Sequence, residues 1–331
     1  VKALVTGGGG FLGSALARAL LARGDEVRVL ARGAYPELQA LGAATIQGDL
    51  RDPAAVAEAC SGIDVVFHTA AKAGGWGDPA EYEAINVHGT RNVIDGCRAA
   101  GVPSLVYTST PSVVHQRHGI EGGDESLPYA QHFEAHYPRT KAATEKLVRD
   151  ASDDALRTVS IRPHFIWGPG DRHLLPRLLD RQRSGRLRRV GKGDPLTDTC
   201  YVDNCVHAHL LAADRLRAGA DLGGRVYFVS DGAPIGLWTM ASRMLQAAGG
   251  EPIEGTVPAW LARAAGAALE ATWWLLRRQD EPLMTRFGAS QLSHAQWFDI
   301  GAARRDLGYE PLVSVEEGLR RLQAWSEREA R

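Results

Sequence analysis

No Cys-x-x-Cys pair occurs among the four cysteines, Cys60, Cys97, Cys200 and Cys205, so the chain offers neither a structural zinc site nor a secreted disulfide framework. Reduced thiols in a cytoplasmic protein are the expectation. An excess of one charge is missing too: 38 Lys+Arg stand against 39 Asp+Glu, a net charge of −1, which argues against a nucleic-acid-binding role and against an acidic solvating tail. The first residues run from Ala3-Leu4-Val5 straight into glycines, without the charged, apolar and cleavage regions of a secretory signal. Internal repeats and low-complexity linkers are also absent. So is a run of roughly 20 apolar residues, the length a bilayer-crossing helix needs. The nearest approach, residues 259–276 (AWLARAAGAALEATWWLL), carries Arg263 and Glu270. It reads as a helix buried in a second lobe, as a wall of an apolar substrate pocket, or as a surface that rests on a membrane or partner.

What is present is a rhythm. Short apolar runs at 3–5, 27–30, 44–47, 65–67 and 105–107 alternate with helical patterns at 11–22, 53–60 and 82–100, as βαβ units of a parallel sheet do. Further strands are expected at 158–161 and 226–229, with the Arg-, Gly- and Pro-rich stretch 174–203 leaving the sheet between them. Helical patterns at 238–248, 259–276 and 315–325 point to a second lobe. The expected fold is α/β, a Rossmann-type doubly wound parallel sheet from residues 1–165 with 200–232. A smaller, mostly helical substrate lobe is expected from 166–199 with 233–331.

Gly7, Gly10 and Gly13 lie between the first strand and the first helix, where glycines permit a tight turn and bring backbone N–H groups and a helix N-terminus up to a pyrophosphate. The acid that would hold a ribose 2′-OH at the end of the second strand is missing. Ala31 and Arg32 stand there instead, leaving room and a cation for a 2′-phosphate, so NADP(H) is expected over NAD(H). Asp49 is placed to accept from the adenine amino group; its other role would be a helix cap, which Asp52 fills better. Tyr137 and Lys141 precede a helix expected at 142–151, and their four-residue spacing puts phenol and ammonium on one helical face. A cation beside a phenol stabilises phenolate and so eases proton transfer near neutral pH. Thr108, Ser109 and Thr110 close the fifth strand with hydroxyls, at the sheet end where ligands of open α/β sheets lie. His132 and His136 have the spacing of two metal ligands on a helix, but no third ligand accompanies them and no metal is expected.

In order, Thr6-Gly7-x-x-Gly10-x-x-Gly13, Asp49-Leu50, His68-Thr69-Ala70-Ala71, Asn86-Val87-His88-Gly89-Thr90, Tyr107-Thr108-Ser109-Thr110, Tyr137-x-x-x-Lys141, Arg162-Pro163-His164-x-x-x-Gly168-Pro169, Tyr201-Val202-Asp203-Asn204 and Gly308-Tyr309-Glu310-Pro311 span essentially the whole chain. This pattern resembles the extended short-chain dehydrogenases/reductases. Within them it is most similar to the 3β-hydroxysteroid dehydrogenase branch, which includes sterol-4α-carboxylate 3-dehydrogenases and, nearer still, bacterial 2-alkyl-3-oxoalkanoate reductases of long-chain olefin synthesis. The resemblance implies that Tyr137 is the general acid and also contacts the cofactor, and that Lys141 lowers its pKa and holds the nicotinamide ribose. It makes Thr110, where the family usually has serine, the hydroxyl that orients the carbonyl, with Ser109 as its neighbouring alternative. It places Gly7, Gly10, Phe11, Leu12 and Gly13 at the pyrophosphate, Asp49 and Leu50 at the adenosine beside Arg32, Ala70, Ala71 and Lys72 beneath the cofactor, and Pro163, His164 and Ile166 at the nicotinamide. Asn86 is implied to bond backbone rather than to catalyse.

The function so implied is NADPH-dependent reduction of a fatty-acid-derived 2-alkyl-3-oxoalkanoic acid to the 2-alkyl-3-hydroxy acid. Trp238, Trp260, Trp273, Trp274 and Trp297 in the second lobe suggest an apolar ligand. The alternatives are a 3β-hydroxysteroid or sterol-4α-carboxylate dehydrogenase, a nucleotide-sugar epimerase or dehydratase, and a non-catalytic NADP sensor. Expected partners are an upstream condensing enzyme, a downstream lactone-forming enzyme and a second copy of the chain, paired through the helices near 82–100 and 137–151. Residues 259–276 are the candidate surface for partner or peripheral membrane contact.

Overall fold

In the computed structural model, which describes residues 1–115 and 118–329, seven parallel strands form the central sheet. They are β1 (Lys2–Thr6), β2 (Glu26–Ala31), β3 (Ala44–Gln47), β4 (Val65–His68), β5 (Ser104–Thr108), β6 (Arg157–Pro163) and β7 (Arg225–Val229). Their order is β7-β6-β5-β4-β1-β2-β3. The chain therefore winds outward in both directions from β1, and a crevice opens at the carboxyl ends where β1 and β4 diverge. Thr6 is in register with both Leu30 and His68, which brings the ends of three strands to one edge.

Burial on both faces explains why these strands read as apolar runs rather than alternations. Ala3 and Val5 face one side and pack with Leu12, Leu16 and Leu20 of the helix Phe11–Ala22 and with Ala208 and Ala212 of Val202–Arg217. Leu4 faces the other side, with Val56 of Pro53–Cys60, Val93 and Ile94 of Gly89–Ala100 and Val148 of His136–Asp150. Each Val, Leu or Ile side chain so withdrawn from water contributes about 1.5–3 kcal/mol. The four cysteines are buried and free.

Two helix starts differ from expectation. The helix expected from residue 142 begins at His136, because Pro138 falls in its first turn, where the missing N–H costs no hydrogen bond. The segment expected as one helix over 82–100 comprises Pro79–Tyr82, a wide turn at Glu83–His88 and then Gly89–Ala100. The stretch 174–203 holds the helix Leu174–Arg183 and short strands before the chain returns to the sheet along Val202–Arg217.

The second lobe contains the helices Leu237–Ala247, Ala259–Leu275, Arg286–Ser293 and Val315–Glu329. It also has a small sheet that the sequence did not announce, with strand order Ile235–Gly236, Leu196–Thr197, Gln296–Phe298, Ile120–Gly123. Ile120–Gly123 lies inside the stretch assigned to the first unit, yet it pairs with Gln296–Phe298, so a strand from one lobe is stitched into the other. Ala259–Leu275 buries only Ala262, Gly266 and Glu270, one narrow stripe. Trp260, Trp274 and Leu275 on its other faces are 72%, 77% and 74% exposed. Among the described residues no helix is long and apolar enough to cross a membrane.

Candidate active site

β1 ends at Thr6 and the chain turns at Gly7 with φ +72°, a conformation glycine adopts without strain. A side chain at Gly7 would press on Ala70 Cα at 2.8 Å, and one at Gly13 would meet Gly7 O at 2.3 Å, so these two positions fit only glycine. The space this leaves is a cavity of about 440 Å³ over the strand ends. Gly7, Gly9 and Gly10 line it, with Ala31, Arg32, Asp49 and Leu50 at and beyond the ends of β2 and β3, and Ala70, Ala71 and Lys72 beyond the end of β4. Phe11, Leu12 and Gly13 do not line it. Leu12 is packed in the core and Phe11 faces a separate groove beside Arg18 and Trp325. What these residues offer an anion is the backbone N–H groups of a first helical turn, not their side chains.

Asp49 accepts from Arg51 through Nε at 2.9 Å and Nη2 at 2.7 Å, and this pairing takes its carboxyl down to about 2. It is an anion at the cavity wall and not a cap; Asp52 caps Pro53–Cys60 by accepting from Ala54 N and Ala55 N. Lys72 Nζ is paired with Glu81 at 2.6 Å. Tyr35, Glu81, Ile85 and His173 also line the cavity and carry no motif in the sequence. The Tyr35 ring lies against the loop so closely that a Cβ on Gly9 would fall 1.8 Å from its Cζ. Loop amides, a glycine floor and the Arg32 cation make a donor set that fits a phosphate-bearing dinucleotide.

The chemical end is built on His136–Asp150. Tyr137 and Lys141 sit one turn apart. Lys141 Nζ donates to Thr108 O at 2.5 Å and lies 4.1 Å from the Tyr107 ring centroid. Burial brings this ammonium down to about 7, with Glu145 pulling the other way. Burial likewise pushes the Tyr137 phenol up to about 12, which the Thr110 hydroxyl partly offsets. Thr110 Oγ1 accepts from Ser112 N at 3.2 Å, fixing its rotamer. Thr110 and Tyr137 line the same cavity, whereas Ser109 is buried away from it.

Buried polar groups hold this helix in place. Arg162 donates to Glu145 through Nε at 2.9 Å and Nη2 at 2.5 Å, both side chains being almost fully buried. Burial alone would raise the Glu145 carboxyl; the guanidinium brings it below its ordinary value. Asn86 donates to Lys72 O and Thr140 Oγ1 and accepts from Lys72 N, tying the wall of the first cavity to the helix His136–Asp150. His68 bridges Thr6 Oγ1 at 2.7 Å and Thr90 Oγ1 at 2.8 Å, and burial, with Lys141 nearby, drives its imidazole down to about 3.

Beyond Tyr137 lies a second cavity, about 340 Å³, lined on the sheet side by Thr110, Tyr137, Pro163 and His164. Arg177, Arg181, Glu281, Thr285, Phe287 and Leu292 of the second lobe close it. His164 is stacked on Phe165 at 4.2 Å between ring centroids and is neutral, because burial and His115 take its imidazole down to about 3. Ile166 belongs to the short strand Ile166–Trp167 and lines neither cavity, its side chain packing on the core instead. The five tryptophans do not form this cavity's wall either. Trp238 is buried in the second-lobe core, while Trp260 and Trp274 face outward. The apolar part of the wall is Pro163, Phe165, Phe287 and Leu292. Of its charged residues the sequence showed only that 174–203 is rich in arginine; the spacing of Arg177 and Arg181 was the available signal. His132 is exposed and His136 packs on the Tyr82 ring, and among the described residues no group of three or more metal-ligating side chains converges.

Residues 4–257 match the 3-beta hydroxysteroid dehydrogenase/isomerase family. A 2-alkyl-3-oxoalkanoate reductase of Stenotrophomonas maltophilia (strain K279a) is 50% identical over 328 residues, 98% of this chain and 99% of the relative. A protein of the same name from Shewanella oneidensis is 48% identical over 330 residues, 97% of this chain and 85% of the relative. Among solved structures, MoeE5 in complex with UDP-glucose and NAD aligns with a TM-score of 0.77 at 25% identity, covering 100% of both chains. These likenesses run through the glycine loop and the Tyr137–Lys141 helix alike, and the chain belongs to the 3-beta hydroxysteroid dehydrogenase/isomerase family of NAD(P)-dependent oxidoreductases.

Proposed function

We propose that the protein reduces a 2-alkyl-3-oxoalkanoic acid to the 2-alkyl-3-hydroxyalkanoic acid with NADPH. The observation that carries this reading is identity of 50% and 48%, over nearly the whole chain, to two reductases named for that substrate class. The geometry supports it. When bound, the dinucleotide supplies the hydride that the carbonyl carbon accepts. Thr110 holds the carbonyl oxygen, Tyr137 gives it a proton from Oη, and the Lys141 ammonium stabilises the phenolate left behind. General-acid help of this kind is worth about 10²–10⁴ in rate.

Ala31 and Arg32 at the end of β2 support NADPH over NADH. Both line the cofactor cavity, and a guanidinium there makes charge-assisted hydrogen bonds to a 2′-phosphate that an acid at this position would repel. A steroid alcohol suits the substrate cavity less well, since Arg177 and Arg181 form part of its wall. The exposed face of Ala259–Leu275 supports contact with the enzymes that supply the keto acid and consume the hydroxy acid, or with a membrane surface. The exposed sides of Gly89–Ala100 and His136–Asp150 would join two copies in a homodimer.

The deciding experiment is oxidation of a synthetic 2-alkyl-3-hydroxyalkanoic acid with NADP+, beside a 3β-hydroxysteroid and beside NAD+. Turnover of the hydroxy acid with NADP+ is expected. Turnover of the steroid alone, or a preference for NAD+, would overturn the substrate or the cofactor reading respectively.

A further inference from the structure

We infer that Arg181 receives the carboxylate of the keto acid while Tyr137 and Thr110 receive its ketone oxygen, an inference that rests on the substrate class proposed above. Arg177 and Arg181 are four residues apart on Leu174–Arg183, so both guanidiniums emerge on one face of that helix, and both line the cavity that Tyr137 and Thr110 line. Their partners differ. Arg177 is paired with Glu281, which also accepts from Gly75 N at 3.3 Å. Arg181 donates through Nη2 to a neutral acceptor, Leu283 O at 2.9 Å. A guanidinium has five N–H donors, so most of this fork is left for a ligand.

The charge count agrees. Two guanidiniums and one carboxylate leave a single positive charge in the wall, and neither His164 nor Tyr137 ionises near neutral pH to change it. The two arginines also crowd each other: burial and the Arg177 charge both lower the Arg181 pKa, with Glu281 opposing. A monoanionic ligand relieves that crowding. A neutral alcohol or ketone leaves it in place.

The anchor answers a chemical problem peculiar to this substrate. In a 3-oxo acid the C1–C2 bond can break with its electron pair moving toward C3 and the ketone oxygen, giving an enolate and neutral CO2. Donors such as Tyr137 and Thr110, which prepare the ketone for hydride, favour this loss as well. A guanidinium on the carboxylate opposes it, because the negative charge it stabilises has left the carboxylate once CO2 forms. Arg181 thereby lets the same donors serve reduction without promoting decarboxylation.

The test compares kcat/KM for oxidation of a 2-alkyl-3-hydroxyalkanoic acid and of its methyl ester, with wild type, Arg181→Gln and Arg181→Lys. The ratio of acid to ester is expected to fall about ten- to a hundredfold in Arg181→Gln, the worth of a charged hydrogen bond, and by less in Arg181→Lys. Partial misfolding lowers both numbers together and leaves the ratio untouched. In the forward direction, CO2 released per NADPH consumed should rise in Arg181→Gln. An acid-to-ester ratio unmoved in both variants would overturn the inference while leaving the function intact. A wild type that oxidises neither compound would overturn the proposed function, and the anchor with it.

Discussion

Burial keeps the Tyr137 phenol protonated at neutral pH, as the proposed general acid has to be, and Lys141 stands one turn further along the same helix. Replacing Tyr137 with Phe removes the proton and little else. We expect kcat to fall by about 10²–10⁴ while the dissociation constant for NADP+, read by fluorescence titration, moves less than about threefold. A second residue gives a pH signature. Asp198 is buried; desolvation lifts its carboxyl to about 7, Asp231 adds to the lift, and Phe298 N–H and Ser230 oppose it. Because the folded pKa lies above the ordinary 3.8, folding binds a proton in that window and the native state loses stability as pH rises through it, the full cost being present above about 7. Asn cannot ionise. The stability of Asp198→Asn relative to wild type, from urea denaturation, should therefore climb between about pH 4 and pH 7, by at most about 1.4 kcal/mol per pH unit, and stay level above. A difference that does not change with pH would mean that Asp198 titrates normally.

At the scale of elements, packing and propensity make different demands on one helix. Ala259–Leu275 touches the protein along Ala262, Gly266 and Glu270, and a Cβ on Gly266 would stand 2.7 Å from the Thr285 carbonyl carbon. Gly266→Ala should raise helix propensity yet cost about 1–3 kcal/mol, because the contact is with backbone that cannot turn aside. Trp274→Ser, at a side chain 77% exposed, should change stability by less than about 0.5 kcal/mol. Chemical denaturation of both variants checks the contrast. The same division explains what the sequence disclosed. β1, β2 and β4 could be read to within a residue or so because doubly buried parallel strands are short apolar runs, and Pro53–Cys60 because Asp52 and Pro53 mark its start. Strands of two to four residues such as Leu196–Thr197 and Ile120–Gly123 are too short to show a period, so the second sheet stayed hidden. The site divides likewise: Gly7, Tyr137 and Lys141 announce themselves by spacing. Tyr35, Arg181, Glu281 and Phe287 come together only through the tertiary fold, and Ile166 and Leu12 matched the motif while their side chains serve the core.

For the whole molecule, the cavity proposed to hold the dinucleotide would be a source of stability as well as chemistry. Its walls come from the ends of β1 to β4 and, through His173, from the segment that leaves the sheet, so a bound dinucleotide braces both. Saturation at 100 times the dissociation constant adds about 2.7 kcal/mol. At equal concentration NADP+ should raise Tm more than NAD+ does, and Arg32→Ala should abolish the difference; an equal rise in wild type would count against the 2′-phosphate role. The pairing of Ile120–Gly123 with Gln296–Phe298 sets a rule for recombination among relatives. A chimera that exchanges the substrate lobe at a cut near residue 165 inherits a foreign edge for its own strand 120–123, and four residues from the catalytic half must therefore travel with the graft. The exchangeable unit is a patch of sheet, discontinuous along the chain, and gene fragments joined at a single crossover cannot deliver it.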